Sequence, residues 1–335
     1  MCGFLVVGSS DIELQVFNDA LDQAAYRGPD HQHVSVNEGI TWGFNRLSIM
    51  DLSSKGNQPF VYKDCVLVCN GEIYNYPILK KELENEYTFK SGSDCEVLIP
   101  LYDKYGIEIL CKFLDAEFAM VLYDVKEKKI MAARDPMGIR PMFYGYSKTS
   151  GDICFASEAK SLISLCDDIM PFPPGHYYLD GKFICFNDLS DPKTINTDDL
   201  DTIAINLKTK LEKAVKKRFM SDAPIGYLLS GGLDSSLVCA IAARLNSRPI
   251  RTFAIGMETD PIDLKYARQV ADFLGTEHTE VVMSKEDILT NLKEVIFHLE
   301  TYDITTIRAS MGMYLLCKYI HEHTDIRVLL TGEVS

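Results

Sequence analysis

Apolar and polar positions in the first half of the chain alternate in short runs broken by turn residues. This pattern predicts strands over Phe4 to Val7, Val66 to Cys69, Phe118 to Tyr123, Lys129 to Ala133 and Ile153 to Ala156. Asp11 to Tyr26 and Glu96 to Tyr105 instead carry apolar residues at helical spacing, so helices are expected to cover the sheets in stacked α and β layers. From Asn187 to Thr202 the chain turns acidic and polar with little to bury, which marks a linker. Beyond it the pattern alternates: helix Ile203 to Phe219, strand Ile225 to Leu229, helix Ser235 to Leu245, strand Thr252 to Ile255, helix Leu264 to Leu274, strand Thr279 to Val282, helix Lys285 to Leu299. A helix near Met311 to Ile320 and a strand at Val328 to Leu330 follow. Such alternation argues for a parallel sheet wrapped by helices. The expected division is therefore a domain at 1–186, a linker at 187–202 and a second domain at 203–335.

Composition narrows what such a protein does. At 335 residues the chain exceeds one compact domain, and 47% hydrophobic with 24% charged residues describes a folded globular protein. A net charge of -14 repels phosphate backbones and anionic lipid, so nucleic acid and membrane surfaces are excluded as general partners and small molecules are expected. No apolar stretch is long enough to span a bilayer and Met1-Cys2-Gly3 lacks a basic secretory start, which predicts a cytoplasmic protein. The ten cysteines show no Cys-x-x-Cys spacing and read as reduced thiols, most of them buried. The pairs His31-x-His33 and His321-x-His323 have no nearby cysteine pattern and read as surface or helix-end histidines rather than zinc ligands.

Two segments carry chemistry. Removal of Met1 would leave Cys2 with a thiol and a free α-amine, whose pKa of about 7.7 to 8.0 allows one residue to supply both nucleophile and base. Further along, Ser230-Gly231-Gly232-Leu233-Asp234-Ser235-Ser236 lies between a strand and a helix, where backbone N–H groups and the helix dipole suit phosphate. It lacks the Gly-Lys-Ser/Thr end of a Walker loop, so γ-phosphate transfer of that type is not expected. Read alone, Asn70-Gly71 is a hairpin turn, Arg46 and Asp94 are solvated charges, and Tyr74, Phe118 and Phe143 belong to the core.

Five segments in order, Met1-Cys2-Gly3-Phe4, Tyr26-Arg27-Gly28-Pro29-Asp30, Arg46-Leu47-Ser48-Ile49-Met50-Asp51, Asn70-Gly71-Glu72-Ile73-Tyr74-Asn75 and Ser91-Gly92-Ser93-Asp94-Cys95-Glu96, resemble the class II glutamine amidotransferases. The resemblance implies an N-terminal-nucleophile hydrolase sandwich, αββα in layers (an α+β fold), followed by the α/β parallel-sheet domain. It further implies that Cys2 attacks the side-chain amide of L-glutamine, with Asn70 and the Gly71 amide as oxyanion hole. At a tight Asn-Gly turn a side-chain amide and a backbone N–H can both point at a developing oxyanion. Arg46 would meet the α-carboxylate, Asp94 and the Glu72 backbone the α-amine, and Leu47, Ser48, Ile49 and Met50 would complete the glutamine pocket.

The glycine loop resembles the pyrophosphate loop of ATP pyrophosphatases, and with Leu299 to Ser310 the whole chain is similar to the asparagine synthetases. That likeness implies ATP contacts from Leu228, Ser230, Gly231, Gly232, Leu233, Asp234, Ser235, Ile255, Thr331 and Gly332, and a Mg2+ ion at Asp234. Thr305, Thr306 and Arg308 would meet L-aspartate and phosphates, Glu333 would act at the intermediate, and a homodimer is expected. Ammonia freed at Cys2 would then displace AMP from β-aspartyl-AMP inside the protein, where it stays neutral. The chain departs from the family at its end: Thr331-Gly332-Glu333-Val334-Ser335 stands where the family has Ser-Gly-Glu-Gly-Ser-Asp-Glu and a long helical remainder. The parallel-sheet domain is thus expected to be incomplete at its C-terminus. The expected activity is glutamine-dependent asparagine synthesis, with the chain either a fragment of a longer enzyme or, as the alternative, a naturally shortened protein that keeps glutaminase activity while its synthetase activity is impaired. The same two lobes also serve β-lactam synthetases and peptide cyclases, and a non-catalytic binding module is the alternative outside enzymes. Cys2, Arg46, Asn70 and Asp94 together favour glutamine as nitrogen donor.

Overall fold

The computed structural model describes residues 1–192 and 194–332, so Glu333, Val334 and Ser335 lie outside the described residues. It divides into two compact units, Met1–Ile195 and Asn196–Ser335. In the first, the elements are β1 (Gly3–Val7), α1 (Leu14–Asp22), β2 (His31–Asn37), β3 (Ile40–Arg46), β4 (Phe60–Tyr62), β5 (Cys65–Ile73), α2 (Tyr76–Leu83) and α3 (Leu98–Phe113). They continue with β6 (Ala116–Asp124), β7 (Lys129–Arg134), β8 (Phe143–Ser147), β9 (Ile153–Ala156), β10 (Cys166–Pro171), β11 (His176–Leu179) and β12 (Lys182–Cys185).

These strands form two antiparallel six-stranded sheets, in the orders β10-β8-β9-β1-β3-β2 and β12-β11-β7-β6-β5-β4. The side-chain period of two assigns the layers. From β1, Phe4 and Val6 join Trp42, Phe44, Val66, Val68 and Val121 in the core between the sheets. Leu5 and Val7 of the same strand pack with Phe17 and Leu21 of α1 on the outer face. From β5, Val66 and Val68 face the other sheet, whereas Leu67 and Cys69 pack against Leu79, Leu83, Leu98 and Leu101 of α2 and α3. The result is the expected helix–sheet–sheet–helix sandwich. A strand buried on both faces gains about 1.5–3 kcal/mol per apolar side chain on each, which favours the unbroken apolar run of β1.

In the second unit the elements are α4 (Leu200–Lys217), β13 (Ile225–Leu228), α5 (Leu233–Leu245), β14 (Arg251–Met257), α6 (Ile262–Leu274), β15 (Glu277–Met283), α7 (Lys285–Leu299), α8 (Ile304–His323) and β16 (Val328–Leu330). The strands make a parallel sheet in the order β15-β14-β13-β16. Tyr227 and Ala254 pack with α4, α5 and α6 on one face, and Leu228 and Phe253 with Leu316 and Ile320 of α8 on the other.

Several predicted elements shift. The last long helix begins at Ile304 rather than near Met311, because Asp303 caps it by accepting from the Thr306 N–H. The helix expected over Glu96 to Tyr105 continues to Phe113 through a break at Gly106, whose φ of 76° suits glycine. Asn70-Gly71 is no hairpin turn: both residues lie inside β5, opposite Ala119 and Phe118. A Cβ on Gly71 would meet the Glu117 carbonyl and the Phe118 Cβ at 2.8 Å, so the glycine serves close strand approach. All ten cysteines are free thiols, seven of them buried. His31 and His33 lie on β2 at a sheet edge, and His321 and His323 lie in the last turn of α8. No helix among the described residues is long and apolar enough to cross a membrane.

Candidate functional site

Cys2 is delivered by β1, which runs between β3 and β9 with all five residues buried. Because Gly3 pairs with Asn45, Cys2 arrives beside the exit of β3, where its Sγ donates to the Leu47 carbonyl at 3.5 Å and receives the Leu47 N–H at 3.4 Å. The Cys2 carbonyl accepts from Arg27 Nε at 2.9 Å. Arg27 Nη1 pairs with Glu158 Oε1 at 2.9 Å, while Tyr26 Oη at 2.5 Å and Lys160 Nζ at 2.7 Å hold Oε2. These charges are almost wholly buried, so the network fixes the Cys2 backbone instead of decorating a surface. A Cβ on Gly28 would lie 2.2 Å from the Asn45 backbone, which lets the Arg27 segment approach β3 closely.

Burial raises the Cys2 thiol pKa, against the opposing pull of the neighbouring amine and the Leu47 N–H. Burial also lowers the Met1 α-amine to about 5, although the Met1 residue as a whole is exposed. That amine belongs to Met1; the base expected at Cys2 arises only when Met1 is removed and the Cys2 nitrogen becomes the chain's α-amine.

On β5 the residues beyond Leu67 have no β4 neighbour. Phe118 turns its own N–H and carbonyl to Asp135, so the facing Gly71 directs its polar groups away from β6, as do Cys69 and Ile73. Gln58 takes both Cys69 groups at 2.7 and 3.0 Å, and Asp94 Oδ2 takes the Ile73 N–H at 2.6 Å. The Gly71 carbonyl accepts from Cys95 Sγ at 3.5 Å, but its N–H finds no acceptor among the described residues. Beside it, Asn70 is 2% exposed, and its Nδ2 is buried without a partner among the described residues. By the period of two, Asn70 points with Val66 and Val68 to the inter-sheet face, against which Cys2 packs. Two unpaired donors therefore sit side by side on the strand.

The loop after β3 is tightly tied. Ser48 N–H donates to Asp30 Oδ2 at 2.8 Å. Arg46 is buried, with Nη1 on the Ser53 carbonyl at 2.7 Å and Asn57 Oδ1 at 2.6 Å, and Nη2 on the Met50 carbonyl at 3.3 Å and on that of Asp51. The fork expected to meet a ligand carboxylate thus organises its own loop, and Nε is its remaining donor. Asp51 Oδ2 accepts the Gly92 N–H at 2.8 Å, joining this loop to the segment that carries Asp94. Asp94 is buried, and desolvation raises its carboxyl pKa to about 6 against the Ile73 and Cys95 N–H groups. Glu72 is raised further, by burial and then by Asp94. Of the aromatics read as core, Phe118 is fully buried and Phe143 half-buried, whereas Tyr74 donates to Glu117 Oε1. Glu117, Arg140 and Glu158 escaped the sequence reading; Gly138-Ile139-Arg140-Pro141, a charge beside turn residues, was the only local signal.

In the second unit, β13 ends at Leu228 and the glycine loop leads into α5, capped at Gly232 without a side-chain hydrogen bond. The loop is held from within: Ser230 Oγ lies 2.9 Å from Ser235 Oγ and accepts the Gly232 N–H at 3.3 Å. Gly231 has φ 79°, and a Cβ there would fall 2.5 Å from the Ala267 N. A Cβ on Gly332 would fall 2.5 Å from the Ser235 N, so Thr331-Gly332 closes on the same helix end. Leu233, at 80% exposure, and Asp234 flank that end openly. Leu228 is buried against α8 and Ile255 is half-buried beside it, so Leu228 can present only backbone. Thr305, Thr306 and Arg308 are exposed on the first turns of α8. Because α8 runs back toward the start of β16, its N-terminus lies at the strands' C-terminal ends, the side of the glycine loop. No cluster of three or more His, Cys, Asp or Glu among the described residues could hold a metal ion unaided.

The family model described as a glutamine amidotransferase domain matches residues 1–174, and that described as asparagine synthase matches residues 206–335. The chain is 39% identical over 353 residues to glutamine-hydrolyzing asparagine synthetase 2 of Arabidopsis thaliana, covering 100% of this chain and 60% of that protein. It is 40% identical over 372 residues to the glutamine-hydrolyzing asparagine synthetase of Mus musculus, covering 100% of this chain and 65% of that one. The chain thus spans less than two thirds of the length of these relatives. Among solved structures, the B. subtilis glutamine phosphoribosylpyrophosphate amidotransferase aligns at a TM-score of 0.47 and 17% identity, over 83% of this chain and 65% of that chain.

Proposed function

The chain belongs to the family that joins a glutamine amidotransferase domain to an asparagine synthase domain, and from that premise we propose that it makes asparagine from aspartate with nitrogen taken from glutamine. The observation that carries the first half is the pair of unpaired donors, Asn70 Nδ2 and Gly71 N–H, on the strand that faces Cys2. A buried amide left without a partner costs about 1–3 kcal/mol, a cost that a developing oxyanion would repay during reaction. In this reading Met1 is removed, and the Cys2 thiol adds to the glutamine side-chain carbonyl, its proton passing to the freed Cys2 α-amine and then to the leaving nitrogen. Ammonia departs, and water releases glutamate from the thioester. Arg46 would exchange a loop carbonyl for the α-carboxylate, with Leu47, Ser48, Ile49 and Met50 as pocket wall. Asp94 and the Glu72 backbone would accept from the α-amine.

In the second half, aspartate and ATP would give β-aspartyl-AMP and pyrophosphate, and ammonia would displace AMP. The uncapped N-terminus of α5, with Ser230, Gly231, Gly232, Leu233 and Ser235 around it and Thr331-Gly332 closing on it, supports phosphate binding. Thr305, Thr306 and Arg308 would meet aspartate and phosphates, and Ile255 would border the base. A single carboxylate, Asp234, fits a magnesium ion that takes its other ligands from phosphate oxygens and water, since magnesium commonly uses one or two protein carboxylates. Such an ion would neutralise phosphate charge. Glu333, proposed to act at the intermediate, lies outside the described residues. A cytoplasmic location and a homodimer complete the proposal; the ten free thiols fit a reducing compartment.

The test is glutamine hydrolysis and asparagine formation by the purified protein and by Cys2→Ala. The variant should release no glutamate from glutamine yet form asparagine from added ammonium as the parent does. Unchanged glutamate release from Cys2→Ala would overturn the reading.

A further inference from the structure

Glu72 and Glu117 stand directly opposite each other across β5 and β6. By the period of two their side chains share the inter-sheet face with Asn70 and Ala119, the face against which Cys2 packs. Like charges in a facing pair destabilise a sheet, and burial sharpens the conflict. Arg140 answers it. Its Nη2 lies 3.5 Å from Glu117 Oε1, the atom that also receives Tyr74 Oη. The Arg140 backbone is fixed at both ends, N–H to Asp135 Oδ2 at 3.0 Å and carbonyl to Arg134 Nε at 2.7 Å. Asp135 Oδ2 also takes the Phe118 N–H, and its Oδ1 takes those of Met137 and Ile139, so the loop is built onto the strand opposite Gly71. Arg140 is 8% exposed, and its Nε is buried without a partner among the described residues.

We propose that Arg140 is a positioning residue of the glutamine-hydrolysing site: it balances the facing Glu72 and Glu117 carboxylates and so keeps the pocket able to hold the negative charge that forms at Cys2. This rests on the reading of the first unit as a glutaminase. The groups that bear on the Cys2 thiol are the Met1 amine while Met1 is present, the Leu47 N–H, Arg46, Glu72 and Arg140, and Arg27 holds the Cys2 carbonyl. Around Glu72 and Arg140 stand Asp94, Glu117 and Tyr74, with Asp135 and Arg134 in the Arg140 loop. Arg46 is engaged with its own loop and Arg27 with Glu158, which leaves Arg140 as the cation set against three carboxylates. Its charge favours the Cys2 thiolate and offsets the opposing charge of the ionised Glu72, which is the direction hydrolysis needs.

The experiment compares Arg140→Met, Arg140→Lys and Arg140→Met with Glu117→Gln, each with Met1 removed and melting checked. It reads kcat and KM for glutamine and the pH midpoint of iodoacetamide alkylation at Cys2, which follows the thiolate fraction. Arg140→Met should lower kcat about tenfold or more, with KM within about threefold, and raise the midpoint by about one pH unit. Arg140→Lys should stay within a few-fold of the parent, and Glu117→Gln should return at least about half of the midpoint shift. If Arg140→Met does not fold, the double variant, whose charge pair is removed whole, is compared with Glu117→Gln alone for the same shift. An unmoved midpoint, or one that Glu117→Gln leaves unrelieved, overturns the proposal. A parent protein that alkylates normally but does not hydrolyse glutamine would instead remove the glutaminase reading, and the alkylation midpoint would still judge Arg140.

Discussion

In the first unit the candidate reacting positions are buried side chains around a half-buried Cys2, with neighbours hydrogen-bonded on almost every side, whereas in the second the candidate phosphate contacts are backbone groups at one helix end, flanked by exposed residues. Arg46 spends both Nη atoms on its loop, and Glu158 gathers Arg27, Tyr26 and Lys160. Against that saturation the unpaired Asn70 amide stands out. Around Gly231 the shape of the main chain does the equivalent work, and little side chain needs to be fixed beforehand. Side-chain changes at the first site should therefore cost chemistry without costing stability, and the second should respond to backbone conformation.

Asn70→Ala sharpens the first half of this contrast and carries the largest expected effect. Among the described residues its Nδ2 has no hydrogen bond to lose, and an unpartnered buried amide is itself a cost, so the variant should melt no lower than the parent. Loss of one oxyanion donor should lower kcat for glutamine about 10²–10³-fold, roughly 3–4 kcal/mol, with KM nearly unchanged. A fall in stability with kcat intact would reverse the assignment.

Asp94→Asn comes next, because it should trade binding for stability. Burial raises the Asp94 carboxyl from 3.8 to about 6, so the folded protein binds this proton more tightly than the unfolded chain does. The resulting penalty is absent below the unfolded pKa, grows as pH rises between about 4 and 6, and is complete above. Two units correspond to roughly 3 kcal/mol at most. The asparagine variant should therefore be more stable than the parent at pH 7 by about 1–3 kcal/mol, with the advantage vanishing near pH 4, while KM for glutamine rises. Denaturant titrations at the two pH values check it, and an advantage independent of pH would refute the cause given.

Gly231→Ala probes the other region. A left-handed φ and a Cβ 2.5 Å from the Ala267 N should cost about 1–3 kcal/mol and abolish aspartate-dependent exchange of pyrophosphate into ATP. At Gly232 the nearest atom to a new Cβ is Ser230 Oγ at 3.4 Å, so Gly232→Ala should fold as the parent does. Equal effects at the two glycines would dissolve the distinction between backbone shape and mere crowding.

The same contrast explains what the sequence disclosed. The glycine loop was legible because a strand, a Ser-Gly-Gly turn and a helix are contiguous, and both the geometry and the signal are local. The first site was legible only through separated segments matched to a family, since Cys2 reaches Leu47 through the β1–β3 register, Asp94 reaches β5 at Ile73, and the two sheets come together only by packing face to face. Local reasoning misplaced Asn70-Gly71 in a turn, because strand pairing over Cys65–Ile73 overrides the propensity of two residues. It passed over β3, whose seven residues are all buried, so no polar alternation marks the strand. Arg140 stayed hidden for a related reason: its meaning lies in facing Glu117 across a fold, and a lone arginine next to proline carries no sign of that.

The smallest expected effect tests whether the second unit can lose stability without losing chemistry. Ser284 opens α7 with a capping box: its Oγ accepts the Asp287 N–H at 3.1 Å, and Asp287 Oδ2 takes the Ser284 N–H at 2.8 Å. Ser284→Ala should cost about 1 kcal/mol. The Ser284 N–H and the Ser284 hydroxyl, which donates to Oδ2 at 2.7 Å, hold the Asp287 carboxyl below its usual pKa, so its contribution is present above the unfolded carboxyl pKa and is lost as pH falls through the lowered folded value. Residue 284 follows β15, an edge strand two places from β13, which leads into the glycine loop. Pyrophosphate exchange at low temperature should therefore match the parent while the denaturation midpoint drops. A proportional loss of exchange would mean that the glycine-loop end of the sheet depends on remote helix stability, and the backbone site would then be no more self-contained than the buried one.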